Sequence, residues 1–276
     1  MNKRKFKEGL YKFLLWASAI ITVAILIFII GFIVLKGYKG ISINFLIKDY
    51  SPTGGGGVLP MILTTLYTVL LSIGIATPIG ILAAVYLVEY AKQGKVVKII
   101  RFATESLSGI PSIVYGLFGA ILFVDVLGLG YSILAGSLTV SIIILPVIIR
   151  TTEEALKSVP KSYREASLGL GATKFQTLYK VIVPSALPGV LSGVILSIGR
   201  VVGESAAILL TTGTVAKMAT SIMSSSRTLT VHAYLVAKET GDISIAASVG
   251  IVLIVIILLL NTIAKLITKK FSKANY

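Results

Sequence analysis

The sequence predicts an all-α, polytopic membrane protein with six transmembrane helices. Three observations carry this. Of the 276 residues, 55% are hydrophobic and 13% charged, about half the charged share of soluble domains. Too little polar side chain remains to coat a water-soluble globule, which excludes a soluble enzyme or regulator. Apolar stretches reach the ~20 residues a helix needs to cross a hydrocarbon core about 30 Å thick. Lys and Arg collect at alternate ends of those stretches.

The spans follow in order. The first lies between Lys12 and Lys36, and the second runs from the glycine-rich stretch to Glu89. The third separates Glu105 from Asp125, and the fourth separates Asp125 from Arg150. The fifth starts after Lys180 and continues past Arg200 and Glu204 to about Thr212, and the sixth separates Asp242 from Lys265. Lys3, Arg4, Lys5 and Lys7 before the first run resemble a signal-peptide n-region. That run is too long for an h-region and no small-x-small site follows, so a retained span is expected.

The excess of 26 basic over 11 acidic residues, a net +15, is a topology signal. The basic residues punctuate apolar runs and form no nucleic-acid face. Nineteen of them belong to the N-terminus, the 92–101 connection, the 150–180 loop and the C-terminus, against six on the opposite side. Both termini and the long 150–180 loop are therefore expected in the cytoplasm. No Cys is present, which excludes disulfides and thiolate metal sites.

Outside, Tyr50–Gly57 reads as a flexible entry to the second span. The segment from Gly213 to Ile245 reads as re-entering or capping the outer mouth. The single His232 lies in it and makes no metal site; a plain surface role is expected.

The loop from Thr151 to Pro184 is too long to be structureless. Pro160 interrupts the preceding helix. Ser162 and Glu165 have capping-box spacing, which starts a helix at Tyr163. Gly169 and Gly171 stop it. Thr173 and Gln176 repeat the box for a second helix that ends before Pro184. The turn exposes Ala166, Leu168, Leu170 and Ala172, apolar in a basic loop. Local features leave two readings equal: docking into a partner's groove, or packing on the protein's own helix ends.

The spacing Glu165-Ala166-Ser167, three residues, Gly171, nine residues, Val181-Ile182-Val183-Pro184 resembles the EAA loop of ABC importer permeases. Ser167, Val181 and Val183 depart from that pattern while keeping residue size. In that family the loop is a coupling helix seated in a cleft of a separate ATPase. The resemblance implies the same role here for Tyr163, Arg164, Glu165, Ala166, Ser167, Leu168, Gly171, Ala172 and Pro184.

Three further stretches narrow the family. Gly55 to Met61 leads into Thr64-Thr65-Leu66-Tyr67-Thr68, Ser108 to Gly119 opens the third span, and Gly199 to Ala207 lies in the fifth. Together they resemble the A-type permease subunit of bacterial and archaeal phosphate importers over roughly residues 55 to 268. The implied fold is a type I importer permease core at 58–268. One extra span and the glycine-rich loop precede it (1–57), and a basic tail follows (269–276).

The residues fit oxyanion transport on their own chemistry. A mid-membrane Arg costs about 2.5–3.5 kcal/mol to insert, so it marks a cavity or pathway. On the fifth helix Gly193, Ser197, Arg200, Glu204, Ala207 and Thr211 recur at steps of three and four and are expected to form one polar and small-residue stripe. The guanidinium fork of Arg200 matches phosphate oxygens, and Glu204, one turn on, is placed to pair with it. Two readings stand: an anion site, or two buried charges that only neutralise each other. Thr64, Thr68 and Ser72 share a face of the second span and are candidates for the path, although such residues more often bond to helix backbone. Ser112 opens a helix after the Gly109-Ile110-Pro111 break, which either aims a helix end at an anion or is a packing bend. Pro78 and Pro146 are expected to kink their helices.

No G-x-x-x-x-G-K-[ST] loop, zinc motif or nucleophile elbow occurs. The chain is therefore read as a transport subunit with no catalytic residues, metal or cofactor of its own. The resemblance implies a second, C-type permease, two cytoplasmic ATPase subunits that use ATP and Mg, and an external phosphate-binding protein. Permeases for molybdate, sulfate or phosphonate, and an ATPase-independent channel or carrier, are the alternatives.

Overall fold

The computed structural model describes residues 2–51 and 56–273. Pro52–Gly55, half of the expected flexible entry, and the end of the basic tail lie outside the described residues. Among the described residues there are helices and no strands. Water is absent from a bilayer core, so every backbone N–H and C=O there must find its partner within the protein, and helices achieve this internally.

Five helices are long and apolar enough to cross a membrane: Lys7–Gly40, Leu59–Tyr90, Ile133–Ser158, Lys174–Gly203 and Ile243–Lys269. These correspond to α1 (Asn2–Gly37), α3 (Leu59–Val85), α6 (Ile133–Ser158), α9 (Val183–Gly203) and α12 (Ile243–Lys273). A short α2 (Ile43–Ile47) follows α1, with Phe45 and Leu46 packed against the cluster around Val58, Met61 and Leu229, and is capped by Ser42, whose Oγ accepts from Phe45 N. The chain is a multi-pass membrane protein.

The third expected span takes another form. Instead of one helix from Glu105 to Asp125 there are two, α4 (Lys95–Ser108) and a segment over Ser112–Val126 that begins with α5 (Ser112–Gly119), bent 100° from each other. Pro111 cannot donate a hydrogen bond and pushes Ile110 out of the helical region. The remaining arm spans about 22 Å. Counting the bent pair as one gives the sixth span.

The fifth expected span differs at both ends. Pro184 does not end the second loop helix. The chain runs from α8 (Lys174–Thr177) through a π turn at Leu178–Ile182 into α9 without a break. At the far end, α9 stops at Gly203 and Glu204 is extended, with φ −73° and ψ 130°. A separate α10 (Ala206–Thr211) follows. The stripe from Gly193 to Thr211 is therefore not a single helical face. Pro78 and Pro146 lie inside unbroken helices.

The central layer is α3 against α6 against α9, with Val69, Ala76, Ile144, Ile148, Val201 and Val202 at its heart. Small residues set the closeness, as is usual where lipid offers no hydrophobic drive to associate. A Cβ on Gly80 would stand 2.7 Å from Ile148 Cγ2. The segment after Gly213 lies over the start of α6: Ser224 and Ile222 carbonyls accept from Ile133 N and Leu134 N at 3.1 and 2.9 Å. It then folds into α11 (Leu229–Leu235). Of the two arrangements expected of that segment, re-entry or capping of the outer mouth, the structure shows a stretch lying over the start of α6 that ends in a buried helix.

The first span is held at one end. A Cβ on Gly37 would sit 2.5 Å from the Ala247 carbonyl carbon, and Ser248 Oγ donates to Gly37 O at 2.8 Å. Residues such as Phe13, Trp16, Ile20 and Phe28 are exposed along the rest of the helix. Gly37→Ala is expected to destabilise the α1–α12 seam by about 1–3 kcal/mol, because only backbone can yield. Gly31→Ala, with open space around it, is expected to be neutral or mildly stabilising. Thermal unfolding of the two variants in detergent checks the contrast.

Candidate functional site

The long loop forms two short helices that stand off the bundle. Pro160 caps α7 (Lys161–Gly169), so the helix begins two residues before Tyr163. The Ser162–Glu165 box is not made: no side-chain cap bond is present at this end. Pro160 itself supplies the start, since its fixed φ suits the approach to a helix. The second box is made, with Thr173 Oγ1 accepting from Gln176 N and Gln176 Oε1 accepting from Thr173 N. Between the helices Gly171 adopts φ +85°, a left-handed turn that only glycine takes freely.

No residue of α7 is buried. Tyr163, Glu165, Ala166 and Leu168 are exposed, and Leu170 is 90% exposed at the apex. Phe175 and Tyr179 stack in parallel beside them, ring centroids 6.3 Å apart. Of the two readings of the knob, packing on the protein's own helix ends is not what this chain adopts. Arg164 differs from its neighbours by turning inward: its guanidinium donates to Glu89 Oε1 (2.7 and 3.2 Å) and to the carbonyls of Leu156 and Val159 (both 3.0 Å). Ser167 Oγ meets Thr177 Oγ1 at 2.9 Å. Ala172 is half-buried and Pro184 lies at the start of α9.

Beside this loop a charged network ties α4 to α6. Glu153 is buried and receives Arg101 Nε at 3.1 Å and Lys157 Nζ at 2.6 Å. Glu89, Lys174 and Glu153 escaped the sequence reading. A lone acid closing an otherwise apolar span, as Glu89 does, was the available signal.

The membrane residues are arranged differently from expectation. Arg200 stands in the last turn of α9, where a cation suits the carbonyl end of the helix. It is exposed and takes no ion pair among the described residues. The expected Arg200–Glu204 pair does not form, because the helix ends between them. Glu204 is buried, and its Oε1 accepts from Ala207 N at 3.2 Å, capping the restarted helix. Thr230 Oγ1 donates to the carbonyls of Val202 and Glu204, covering the freed end of α9.

Ser197 is buried with its hydroxyl on Gly193 O. Thr64, Thr68 and Ser72 do share a face of α3, and that face is packed. Thr64 Oγ1 meets Ser226 Oγ at 2.7 Å, Thr68 donates to Thr64 O, and Ser72 donates to Ser137 O. None of the three lines an open path in this conformation. Ser112 is half-buried at the bend, where Tyr115 Oη donates to Leu107 O at 2.8 Å and so joins the two arms.

His232 also departs from expectation. It is 1% exposed, on α11, with Tyr50 edge-on at 5.3 Å and Arg227 over the same Tyr50 ring at 4.7 Å. Burial lowers its pKa from 6.5 to about 4, and the Arg227 cation lowers it as well.

With this geometry established, the chain can be set beside known proteins. A family model described as binding-protein-dependent transport system inner membrane component matches residues 76–273. The chain belongs to that family. The probable ABC transporter permease protein YqgI of Bacillus subtilis is 39% identical over 211 residues, covering 76% of this chain and 72% of the relative. The phosphate transport system permease protein PstA of Pasteurella multocida is 37% identical over 209 residues, covering 75% and 74%. PstA of Mycobacterium leprae is 35% identical over 217 residues, covering 76% and 71%. Among solved structures, a bacterial alginate ABC transporter aligns with a TM-score of 0.70 at 15% identity, over 98% of this chain and 99% of that one. The MetNI methionine ABC transporter aligns at 0.62 and 19% identity, over 76% and 93%. The fold is that of ABC importer permeases.

The buried imidazole predicts a pH dependence. Above pH 6.5 His232 is neutral in both folded and unfolded chains. Between 6.5 and about 4 only the unfolded chain gains the proton, so stability falls as pH falls through that window. Going from pH 7 to pH 5 is expected to cost about 2 kcal/mol through this group. Unfolding midpoints of wild type and His232→Leu at the two pH values check it: the variant loses that part of the slope.

Proposed function

We propose that this chain is the permease subunit of an ATP-driven phosphate importer, forming half of the translocation path and receiving work through the α7–α8 loop. The observation that carries the reading is Leu170. A leucine 90% exposed, presented by a helix with no buried residue of its own, needs a partner surface, and the family places an ATPase there. The phosphate-permease relatives, matched over about three quarters of the chain, support the substrate.

In this reading the core at 58–268 pairs with a second, C-type permease. Two cytoplasmic ATPase subunits bind ATP and Mg, this chain binds no cofactor or metal, and an external protein delivers phosphate. Nineteen basic residues at the loop side support a cytoplasmic position for both termini and the loop. ATPase closure displaces the α7–α8 loop, and the spans rock between outward and inward openings. Tyr163, Glu165, Ala166, Leu168, Leu170 and Gly171 form the docked surface.

Arg200 is the residue proposed to meet the anion. Its freedom from Glu204 favours this over mutual neutralisation. A planar fork at the end of α9 presents paired donors to phosphate oxygens. Glu204, committed to the α10 backbone, positions that break. Thr64 ties α3 to Ser226, while Thr68 and Ser197 each secure a carbonyl of their own helix, so these three support the walls of the path and do not link α3 to α9.

Radiolabelled phosphate uptake at low micromolar phosphate tests the reading, in cells lacking this chain and complemented at matched membrane abundance. Wild type is expected to restore uptake. Arg200→Ala is expected to lower it about tenfold or more, the worth of a charge-assisted hydrogen bond. Full uptake by Arg200→Ala assigns the Arg a structural role. Restoration of molybdate, sulfate or phosphonate uptake alone reassigns the oxyanion, and uptake without any ATPase overturns the importer reading. Leu170→Asp is expected to leave folding unchanged and to cut ATPase co-purification about tenfold.

A further inference from the structure

The loop must deliver its displacement to the spans, and its two arms are attached in different ways. The α8 arm is continuous with α9 through the π turn. The α7 arm has no such continuity: Pro160 hinges it from α6, and none of its residues is buried. An arm without apolar anchorage would swing on that hinge when pushed. Two side chains oppose this: Ser167, whose Oγ meets Thr177 Oγ1 on α8, and Arg164, which reaches the ends of two spans.

Arg164 uses its planar fork on two helix ends at once. Two donors go to the Glu89 carboxylate in the π turn that ends the second span just past α3, and two go to Leu156 O and Val159 O. The latter are the carbonyls that a helix end leaves without an intrahelical partner. The pair is largely shielded, with side-chain exposures of 23% for Arg164 and 13% for Glu89, so water competes little. The α8 arm reaches the same place: Lys174 Nζ donates to the Glu89 carbonyl and lies 4.9 Å over the Tyr90 ring. Both arms of the loop thus converge on residues 89 and 90, the last turn of the second span.

We propose that Arg164 is a positioning residue that clamps the coupling helix to the ends of α3 and α6, so that displacement of α7 moves the second span as one body with it. This rests on the transport reading above. A lysine at 164 would keep the charge and lose the fork, which makes geometry part of the claim.

The test uses the reconstituted complex of this chain with its partner permease, ATPase subunits and binding protein. The absence of Cys lets spin labels be placed cleanly at Lys92→Cys and Lys161→Cys, either side of the clamp. In wild type the distance distribution is expected to be the same without nucleotide and with ATP trapped on a hydrolysis-deficient ATPase. In Arg164→Ala, and in Glu89→Gln, which keeps the side-chain shape, it is expected to shift and broaden on trapping. Phosphate carried per ATP hydrolysed is expected to fall about tenfold in both, less in Arg164→Lys. Arg164→Ala combined with Glu89→Ala should be no worse than either alone.

A wild-type distance that changes on trapping overturns the clamp. So do variants that keep both the wild-type distance and the wild-type phosphate-to-ATP ratio, and so does an additive double variant. A wild-type complex that hydrolyses ATP and carries no phosphate overturns the substrate assignment instead, and the label distances still decide the clamp.

Discussion

Hydrocarbon offers no partner for a peptide group, so each place where a helix stops inside this bundle needs a donor or acceptor brought from elsewhere in the chain. The two interior breaks show how this is met. At Gly109-Ile110-Pro111 the freed Leu107 carbonyl is taken by the Tyr115 hydroxyl. At Glu204-Ser205 the Glu204 carboxylate takes Ala207 N, and Thr230 takes the carbonyls of Val202 and Glu204. These side chains permit the breaks, and the breaks in turn decide where Arg200 and Ser112 stand.

The same constraint governs the hydroxyls of the spans. Thr68, Thr139, Ser197 and Thr211 each return their proton to a carbonyl one turn earlier. Fewer reach across helices, as Thr64 does to Ser226 and Ser72 to Ser137. Packing is then left to small residues such as Gly80 and Gly37, which let helices approach closely. Polar side chains in this bundle secure its helices before any of them is available to a transported ion.

At the loop end the balance reverses. There water satisfies backbone groups, and the chain places apolar side chains where water reaches them. Leu170, Leu168 and Phe175 are exposed, while the charged residues Arg164, Glu89 and Glu153 turn toward the bundle. A surface built this way is meant to be covered, and its charges serve to hold it in place. Arg164, Glu89 and Glu153 thus belong to the joint, and Leu168, Leu170 and Phe175 to the contact.

Much of this was legible in residue order. Run length and charge placement determine an all-helical chain and five of its spans, because a span needs about 20 apolar residues; the third instead bends by 100° at Pro111. Thr173–Gln176 makes the cap its spacing implies, whereas Ser162–Glu165, with the same spacing, does not, because Pro160 starts that helix earlier. The loop spacing around Glu165 and Gly171 announced the family. What tertiary structure alone decided depends on contacts distant in sequence. The Arg200–Glu204 spacing implied one face, yet the helix ends between them because Thr230, 26 residues on from Glu204, accommodates the end. His232 is buried because Tyr50 and Arg227 close around it. Arg164 turns inward because Glu89, 75 residues away, completes its fork, and no local pattern encodes an ion pair across that separation.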